Sequence, residues 1–305
     1  MPTEISVTLP LSQALARTKR MLFEPFDLHK WFVVGFCAWL AILGESGFNG
    51  GYRRNFGNHQ GNPASTAKEW FEQIRQYVQP NLYWIIPVAI VVAVLAIALW
   101  VAVLWLSSRG HFMFLHCVAL DRPEIRVPWN RYAREGNSLF VFRLVVSIIA
   151  MVLLAPVVAG IVWMIVSMVT QGAATVTGVL GAVGLTGLAL LLWPAWRVVA
   201  RLTRDFVVPI QFGRSLGCIE AWRLRRELVS SNIANFVIYF LFQLALGAAI
   251  SIAVFAVVIV TCCIAGCLLA IPYLGTVLFL PVLVFQRSYS LYYLAQFGPE
   301  WNVLS

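Results

Sequence analysis

The sequence contains few charged residues. Asp, Glu, Lys and Arg make up only 11% of its 305 residues, whereas 60% of the residues are hydrophobic. Soluble domains contain about 25% charged residues, so this composition is typical of an integral membrane protein rather than of a soluble enzyme. The polar stretches between the apolar runs are too short to bury a core of their own, and we therefore expect no large soluble domain.

Common motifs of catalysis and cofactor binding are also missing. The sequence has no P-loop, no GxGxxG fingerprint and no HExxH zinc motif. His111 and His116 are five residues apart, and a helix does not place such residues on one face. We therefore expect neither a metal ion nor a cofactor. The net charge of +9 is spread over segments between apolar runs, which predicts an anionic membrane surface and not nucleic acid as the partner.

One short motif invites a catalytic interpretation. Residues 213–217 read GRSLG and match GxSxG, the nucleophile elbow of many hydrolases. The elbow requires a turn from a strand to a helix and a histidine that follows the serine. All four histidines precede Ser215, and the sequence shows no alternation of strands and helices. We therefore expect no catalytic residue in this segment.

Six cysteines show no CxxC pairing. Three of them, Cys262, Cys263 and Cys267, cluster near a predicted outer turn. Thiols within a span usually pack as small apolar side chains, and we favour this interpretation. A disulfide or a metal site formed by this cluster is the alternative, and the sequence does not determine its oxidation state.

Six apolar runs are long enough to cross a bilayer as helices, which takes about 17–25 residues. They predict an all-α fold in which residues 1–305 form a single polytopic membrane helix bundle with six transmembrane helices. Asp27, just before the first run, is a suitable N-cap. The predicted spans cover about residues 28–44, 82–106, 139–169, 176–199, 233–260 and 268–285.

Two polar segments have the pattern of amphipathic helices that lie on a membrane surface. The first runs from Ser12, a suitable N-cap, to Phe23, with an ordinary solvated helix as the alternative. The second lies in the outer loop, residues 45–81, and begins at a capping box formed by Thr66 and Glu69. A lid over a substrate path is the alternative interpretation of the second helix.

Lysine and arginine are distributed unevenly between the polar segments. The outer loop contains only 4 of the 22 basic residues, and the other 18 lie in segments that six spans would place together on the opposite side. Because positively charged loops stay on the cytoplasmic side, we expect both termini to be cytoplasmic. The two basic inner loops are residues 107–138 and 200–232.

These two inner loops resemble each other. Arg109 and Arg204 each leave an even-numbered span, and a tryptophan follows each arginine 18–20 residues later. Ser138 and Ser231, nine residues after those tryptophans, are predicted to cap the next span. A third arginine leaves the sixth span in a comparable way. This spacing predicts a threefold repeat of a helix-pair unit, which is evidence for architecture and not for transport.

Four short motifs carry a family resemblance. They are Leu28-His-Lys-Trp31, Asp205-Phe-Val-Val-Pro-Ile210, Glu220-Ala-Trp222 and Phe297-Gly-Pro-Glu300. Together they resemble an uncharacterised family of bacterial six-span membrane proteins, which is itself similar to the membrane domain attached to some glycerophosphodiester phosphodiesterases. The resemblance implies a multi-pass protein of the bacterial inner membrane. The motifs include no catalytic residue of the phosphodiesterase, so no such activity is implied.

The basic inner face is the strongest candidate for function. We expect a non-enzymatic membrane protein whose cytoplasmic face contacts anionic lipids or a membrane partner, because basic residues near an anionic leaflet bind its headgroups. A transporter or lipid translocator is the alternative, and a membrane-embedded enzyme is the third. The candidate headgroup contacts are Arg109, Arg131, Arg134, Arg204, Arg214, Arg223, Arg225, Arg226, Trp129 and Trp222.

Overall fold

The computed structural model describes residues 5–43, 63–171, 176–261, 266, 269 and 271–304. Within these ranges every secondary-structure element is helical. The three clustered cysteines, Cys262, Cys263 and Cys267, lie outside the described residues. The α-helices are α1 (Leu9–Phe23), α2 (Leu28–Ile42), α3 (Pro63–Leu120), α4 (Arg126–Arg131), α5 (Ala133–Gln171), α6 (Val176–Leu202), α7 (Val208–Arg214), α8 (Cys218–Ser231), α9 (Ile233–Val260), α10 (Pro272–Leu278) and α11 (Leu280–Ala295). A π-helical turn (Thr203–Val207) joins α6 to α7, and a short 3-10 turn (Pro299–Trp301) follows α11.

Several helices carry exposed apolar surfaces. Ile97, Met151 and Leu241, for example, are 61%, 63% and 62% exposed. Because a helix satisfies its own backbone hydrogen bonds, an apolar helix surface of this kind is typical of a segment that faces lipid. The composition therefore predicted the class correctly, and the chain is an all-helical membrane protein. Among the described residues, four helices are long and apolar enough to cross a membrane: Tyr83–Leu120, Ala133–Met164, Val183–Arg214 and Ile233–Val260.

The first and last predicted spans are shorter helices. The apolar helix α2 has 15 residues, two fewer than the predicted first span. The predicted sixth span contains a break at Phe279, between α10 and α11. Pro281 explains this break, because its nitrogen has no hydrogen to donate to the carbonyl of Val277 four residues earlier.

Two other helices are longer than predicted. Helix α3 begins at Pro63, before the predicted capping box at Thr66, and continues without interruption to Leu120. The predicted outer interfacial helix and the first part of the inner loop 107–138 are thus parts of one helix. Helical conformation also continues past α6 through the π turn to Arg214. The basic residues in these extensions interrupt the apolar pattern without breaking the helix.

The chain divides into two compact units, which are described separately. One unit contains residues 48–102 and 144–199. Helices α5 and α6 pack closely in this unit. A Cβ atom added at Gly160 of α5 would lie only 2.7 Å from the Leu185 side chain of α6. A Cβ atom added at Gly181 of α6 would lie 3.2 Å from the Met164 side chain of α5. Small residues at such positions let two helices approach each other.

The other unit, residues 1–47, 103–143 and 200–305, holds most of the buried residues. Its core is rich in aromatic side chains: Phe206, Tyr239 and Tyr293 are fully buried and pack with ring centroids 4.5–6.5 Å apart. Helix α1 packs against α11. Next to this contact, the backbone of Ser6 before α1 and the side chain of Gln296 after α11 exchange two hydrogen bonds of 2.8 and 2.9 Å. Thus α1 is partly buried in this unit and is not an isolated surface helix.

Basic side chains of α1 and α2 bind the carboxyl end of α3. Arg17 donates hydrogen bonds of 2.7–3.1 Å to the carbonyls of Val118 and Ala119. Lys30 forms an ion pair of 2.8 Å with Asp121, which follows the helix and has a positive φ of 53°. Cations at this end satisfy the last carbonyls and oppose the negative end of the helix dipole.

Besides the capping box at Thr66, which lies inside α3, the structure contradicts three predicted caps, and it confirms one. Asp27 caps α2 by accepting a 2.8 Å hydrogen bond from the amide of His29. Ser12 does not cap α1, which begins at Leu9. Ser138 lies inside α5 and accepts instead from the Cys218 amide at the start of α8, at 2.9 Å. Ser231 ends α8, and its hydroxyl donates to carbonyls of the same helix. In the last two cases the helix begins or ends at a different residue than predicted, so the serine hydroxyl contacts different backbone groups.

Candidate functional site

Four of the candidate headgroup contacts are exposed arginines on α4, α5 and α8. Arg131 ends α4 and Arg134 lies in the first turn of α5. Arg223 and Arg226 lie on the outward face of α8, three residues apart, so both guanidinium groups project from the same side of that helix. All four belong to the same compact unit and are open to solvent or to lipid headgroups.

Other candidate arginines stack on tryptophan rings. The Arg109 guanidinium carbon lies 4.6 Å from the ring centroid of Trp105 and 4.8 Å from that of Trp129. Arg214, which is exposed, stacks on Trp301 at 4.5 Å. A cation over an indole ring is attracted by its π electrons. These stacks fix the direction of each guanidinium group, and they explain the position of Trp129 beside a basic residue.

Arg225 differs from its exposed neighbours on α8. Its side chain is only 7% exposed, and its guanidinium lies 4.5 Å from the centroid of Trp222. Burial lowers the pKa of Arg225 to about 10, so the group remains charged at neutral pH. Trp222 itself packs against Phe142 with ring centroids 5.5 Å apart. Arg225 is therefore packed inside the protein, whereas Trp222 beside it is half-buried.

Arg204, the remaining candidate, lines a polar cavity in the same unit. The cavity has a volume of about 60 Å³. Three of the four candidate spanning helices contribute to its wall, together with α2 and α11. Its charged and polar lining residues are His111, Arg201, Arg204, Asp205, Gln243, Gln286 and Arg287.

A closed ring of polar side chains forms one wall of this cavity. Arg201 donates to the Gln243 carbonyl oxygen at 3.3 Å, and the Gln243 amide donates to the Tyr239 hydroxyl at 3.1 Å. Tyr239 donates in turn to an Asp205 carboxylate oxygen at 3.4 Å. The same oxygen lies 3.7 Å from Nε of Arg201 and completes the ring. Each side chain of the ring thus contacts two of the others, and the contact of Arg201 Nε with Asp205 is an ion pair and not a hydrogen bond.

The π turn places two of its own residues, Arg204 and Asp205, at the cavity. The Val208 amide bonds to the Thr203 carbonyl, five residues earlier, in the π pattern. Pro209 favours this arrangement, because it has no amide hydrogen for the Asp205 carbonyl four residues earlier. Arg204 pairs with the Asp205 carboxylate at 3.3 Å. Single π turns occur frequently at functional sites in helices.

No pattern in the sequence groups these cavity residues. Arg201 and Asp205 belong to the predicted basic loop 200–232 and Arg287 follows the predicted sixth span, although all three line one cavity in the folded chain. An available signal was the spacing of Arg201 and Asp205, which are four residues apart and thus on one helix face. The contribution of Gln243 and Arg287 depends on how the helices pack, which no local pattern shows.

Ser215, the serine of the GRSLG motif, lies between two helices. It follows α7 with a left-handed backbone conformation, φ 51°, and its side chain is exposed. The strand that a nucleophile elbow requires does not occur among the described residues on either side of it. Likewise, the described part of the chain contains no cluster of three His, Cys, Asp or Glu residues with the arrangement of a metal site.

Comparison with known proteins identifies one family. The model of a family of unknown function, DUF7544, matches residues 6–280. No curated protein and no solved structure matches the chain.

Proposed function

We propose that this chain, which belongs to the DUF7544 family of unknown function, is a non-enzymatic integral membrane protein whose basic face binds anionic lipid headgroups. The exposed pair Arg223 and Arg226 on α8 is the observation that carries this proposal. Arg131 and Arg134 add charge of the same sign in the same compact unit. Near an anionic leaflet each basic residue contributes about 1 kcal/mol to binding.

The distribution of charge supports a location and an orientation. We propose a multi-pass protein of a bacterial inner membrane with both termini in the cytoplasm. In this arrangement 18 of the 22 Lys and Arg residues lie on the cytoplasmic side. The arrangement requires six spans, with α2 as the first and α10 together with the start of α11 as the last.

The order of helices supports a threefold repeat. A more polar helix of 6 to 15 residues precedes an apolar one three times along the chain, as α1 before α2, α4 before α5 and α8 before α9. Each pair is followed by a second apolar helix that continues into a basic or polar extension. We propose that this unit arose by duplication, and that the further resemblance to the membrane domain of some glycerophosphodiester phosphodiesterases reflects shared architecture.

The proposed orientation predicts the location of two reporters. A reporter of cytoplasmic location fused after Ser305 should be active, and the same reporter inserted near Gly61 should be inactive. A reporter of export at the same two positions should give the reverse pattern. The reason is that six spans place the outer loop and the carboxyl terminus on opposite sides. If both positions report the same side, the proposed topology is wrong.

The proposed lipid binding predicts the effect of two substitutions. The double variant Arg223→Gln/Arg226→Gln should retain much less phosphatidylglycerol and cardiolipin than the parent when it is purified in neutral detergent. Loss of two charges weakens binding by about 2 kcal/mol, which is more than tenfold in affinity. The measurement is the amount of each lipid per chain by mass spectrometry. Arg225 is left unchanged because it is buried, and its replacement would disturb packing.

A charge-conserving variant is the matched control. Arg223→Lys/Arg226→Lys should retain the lipid, because each position keeps its charge. Equal thermal stability of both variants and the parent shows that the fold persists. If the glutamine variant retains as much anionic lipid as the parent, these arginines act only as a topology signal and the proposal fails.

A transporter or lipid translocator is the second candidate. The polar cavity that Arg201, Arg204 and Arg287 line favours it, because ionisable residues inside a membrane bundle usually mark a substrate pathway. A membrane-embedded enzyme is the third candidate, and the geometry around Ser215 gives it no support.

A further inference from the structure

Two buried thiols face each other between α2 and α3. Cys37 of α2 and Cys117 of α3 are both fully buried free thiols, and their Sγ atoms lie 3.9 Å apart. The two residues are 80 positions apart in the sequence, so the packing of the helices brings them together. Cys117 Sγ also lies 3.7 Å from the backbone carbonyl oxygen of Glu124. These contacts hold the Cys117 side chain in the direction of Cys37.

The helices that carry these thiols are in backbone contact. A Cβ at Gly110 of α3 would lie 2.6 Å from backbone atoms of α2, and the Ser107 hydroxyl donates a 2.8 Å hydrogen bond to the Ala41 carbonyl. Ala41 lies about one helical turn after Cys37. A disulfide requires Cα atoms about 4.4–6.8 Å apart, which is a separation typical of two backbones in close contact. To form it, the sulfur atoms have to approach from 3.9 Å to about 2.05 Å, mainly by side-chain rotation.

The surroundings of the pair favour a neutral oxidation product. Both thiols belong to the hydrophobic core of the larger compact unit, together with apolar neighbours such as Val34 and Val118. An ionised product such as a sulfinate is costly to bury in these surroundings, whereas a disulfide carries no charge. Cys218 of α8 is also a buried free thiol, but no sulfur atom of the described residues contacts it. Cys218 therefore serves as an internal comparison.

We propose that Cys37 and Cys117 form a redox-sensitive pair, which a peroxide oxidises to a disulfide. One thiol, in its thiolate form, attacks a peroxide oxygen and the O–O bond breaks. The departing oxygen leaves as water with the thiol proton, and the attacked sulfur becomes a sulfenic acid. The second sulfur then attacks the sulfenic sulfur, so that the S–S bond forms, the S–O bond breaks and a second water leaves. Hydrogen peroxide is thus reduced to water while the two thiols are oxidised to one disulfide.

The disulfide would tie together two helices that both line the polar cavity. Ala38 and Ala41 of α2 and Phe114 of α3 line this cavity, each within about one turn of a cysteine of the pair. Oxidation therefore restrains the part of the cavity wall that α2 and α3 form. Because cytoplasmic thiols are kept reduced, the orientation proposed above predicts free thiols in resting cells and the disulfide under peroxide stress. The pair itself does not depend on the proposed lipid binding.

A cut between the two cysteines tests the proposal. A protease site inserted near Gly61 of the full-length protein creates an amino-terminal fragment in which Cys37 is the only cysteine. The protein in detergent is treated with hydrogen peroxide, which is then removed with catalase. It is next cut and denatured in the presence of N-ethylmaleimide, which blocks the remaining thiols. The two fragments should migrate together on a non-reducing gel, and dithiothreitol should separate them. Cutting and denaturation before oxidation should lower the linked fraction at least about tenfold, because native packing holds the thiols together.

Two substitutions identify the partner of Cys37. Cys117→Ser should abolish the link between the fragments, whereas Cys218→Ser should leave it unchanged. If Cys117→Ser does not fold, Cys117→Ala keeps the site apolar and replaces it with the same expected result. A link in the parent that is lost in the Cys117 variant supports the proposal. An oxidised parent without the link would overturn it, and so would an equal link in the Cys117 variant.

Thermal unfolding tests whether the disulfide restrains the helices. A disulfide that closes a long loop stabilises the folded chain, so the oxidised parent should unfold at least about 4 °C above the reduced parent. Peroxide should not raise the unfolding midpoint of Cys117→Ser. An unchanged midpoint in a fully linked parent would overturn the restraint of the cavity wall. None of these results affects the lipid test on Arg223 and Arg226.

Discussion

Replacement of Gly110 with alanine should destabilise the larger compact unit by about 3 kcal/mol. Gly110 lies in α3, where this helix crosses α2. A Cβ at this position would lie 2.6 Å from the Ala41 nitrogen and 2.6 Å from the Leu40 carbonyl carbon. Both atoms belong to the backbone, so no side-chain rotation relieves the overlap and the helices have to separate. Overpacking of a tight contact costs about 1–3 kcal/mol, and separation would also break the 2.8 Å hydrogen bond from Ser107 to the Ala41 carbonyl.

A second glycine provides a control, because its replacement with alanine should not lower the stability of the protein. Gly247 lies within α9, and a Cβ at that position would meet none of the described atoms within 4 Å. Alanine has a higher helix propensity than glycine by about 1 kcal/mol, so Gly247→Ala should leave stability unchanged or raise it. The measurement is the midpoint of thermal unfolding of the purified protein in detergent. Equal stability of Gly110→Ala and Gly247→Ala would show that α2 and α3 do not cross at Gly110.

Replacement of Asp205 with asparagine should destabilise the same unit by roughly 2–3 kcal/mol. Removal of one partner from a buried ion pair costs about 3–5 kcal/mol, because the remaining charge has lost its compensation. Solvent reduces this figure here, since the side chains of Arg201 and Arg204 are 31% and 36% exposed. Asparagine has nearly the same shape as aspartate and still accepts the hydrogen bond from Tyr239, so the change tests charge and not volume.

An exposed carboxylate on α8 serves as the comparison. Glu227 is exposed, and Glu227→Gln removes the same charge outside the cavity. Surface substitutions of this kind usually change stability by less than about 0.5 kcal/mol. Thermal unfolding of both variants at low and high sodium chloride distinguishes the two environments. A similar small effect of both substitutions would show that the Asp205 carboxylate does not stabilise the arginine cluster.

Helix boundaries illustrate why some local predictions failed. Ser12, Ser138 and Ser231 were each assigned a capping role from residue type and distance to an apolar run. A cap depends on which residue is the first with helical geometry, and packing of neighbouring helices moved that boundary at each site. Ser138 illustrates the consequence most clearly, because its hydroxyl caps a helix that begins 80 residues later in the sequence. The Asp27 cap was predicted correctly because the apolar run that begins immediately after Asp27 defines the helix boundary locally. The extended backbone of Asp27 agrees with this boundary.

For the candidate headgroup residues too, the sequence shows where the charge lies and packing decides which side chains are exposed. Exposure of Arg223 and Arg226 and burial of Arg225 could not be read from three basic residues in one segment. Helical periodicity places them on different faces, but only the packing of Trp222 on Phe142 decides which face is inside. For the same reason the basic pattern indicated a charged surface and did not reveal that Arg204 faces a cavity.

The sequence by itself determined the class of this protein, because long apolar runs with few charges can satisfy their backbone hydrogen bonds in lipid only as helices. It also determined where most of the helical chain lies and where positive charge accumulates. The tertiary structure decided which charges meet. Arg201, Asp205, Gln243 and Arg287 come from segments up to 86 residues apart, and the π turn near Pro209 and the break near Pro281 orient them. A cavity arises from the relative positions of helices, and those positions depend on close contacts such as Gly110 against Ala41.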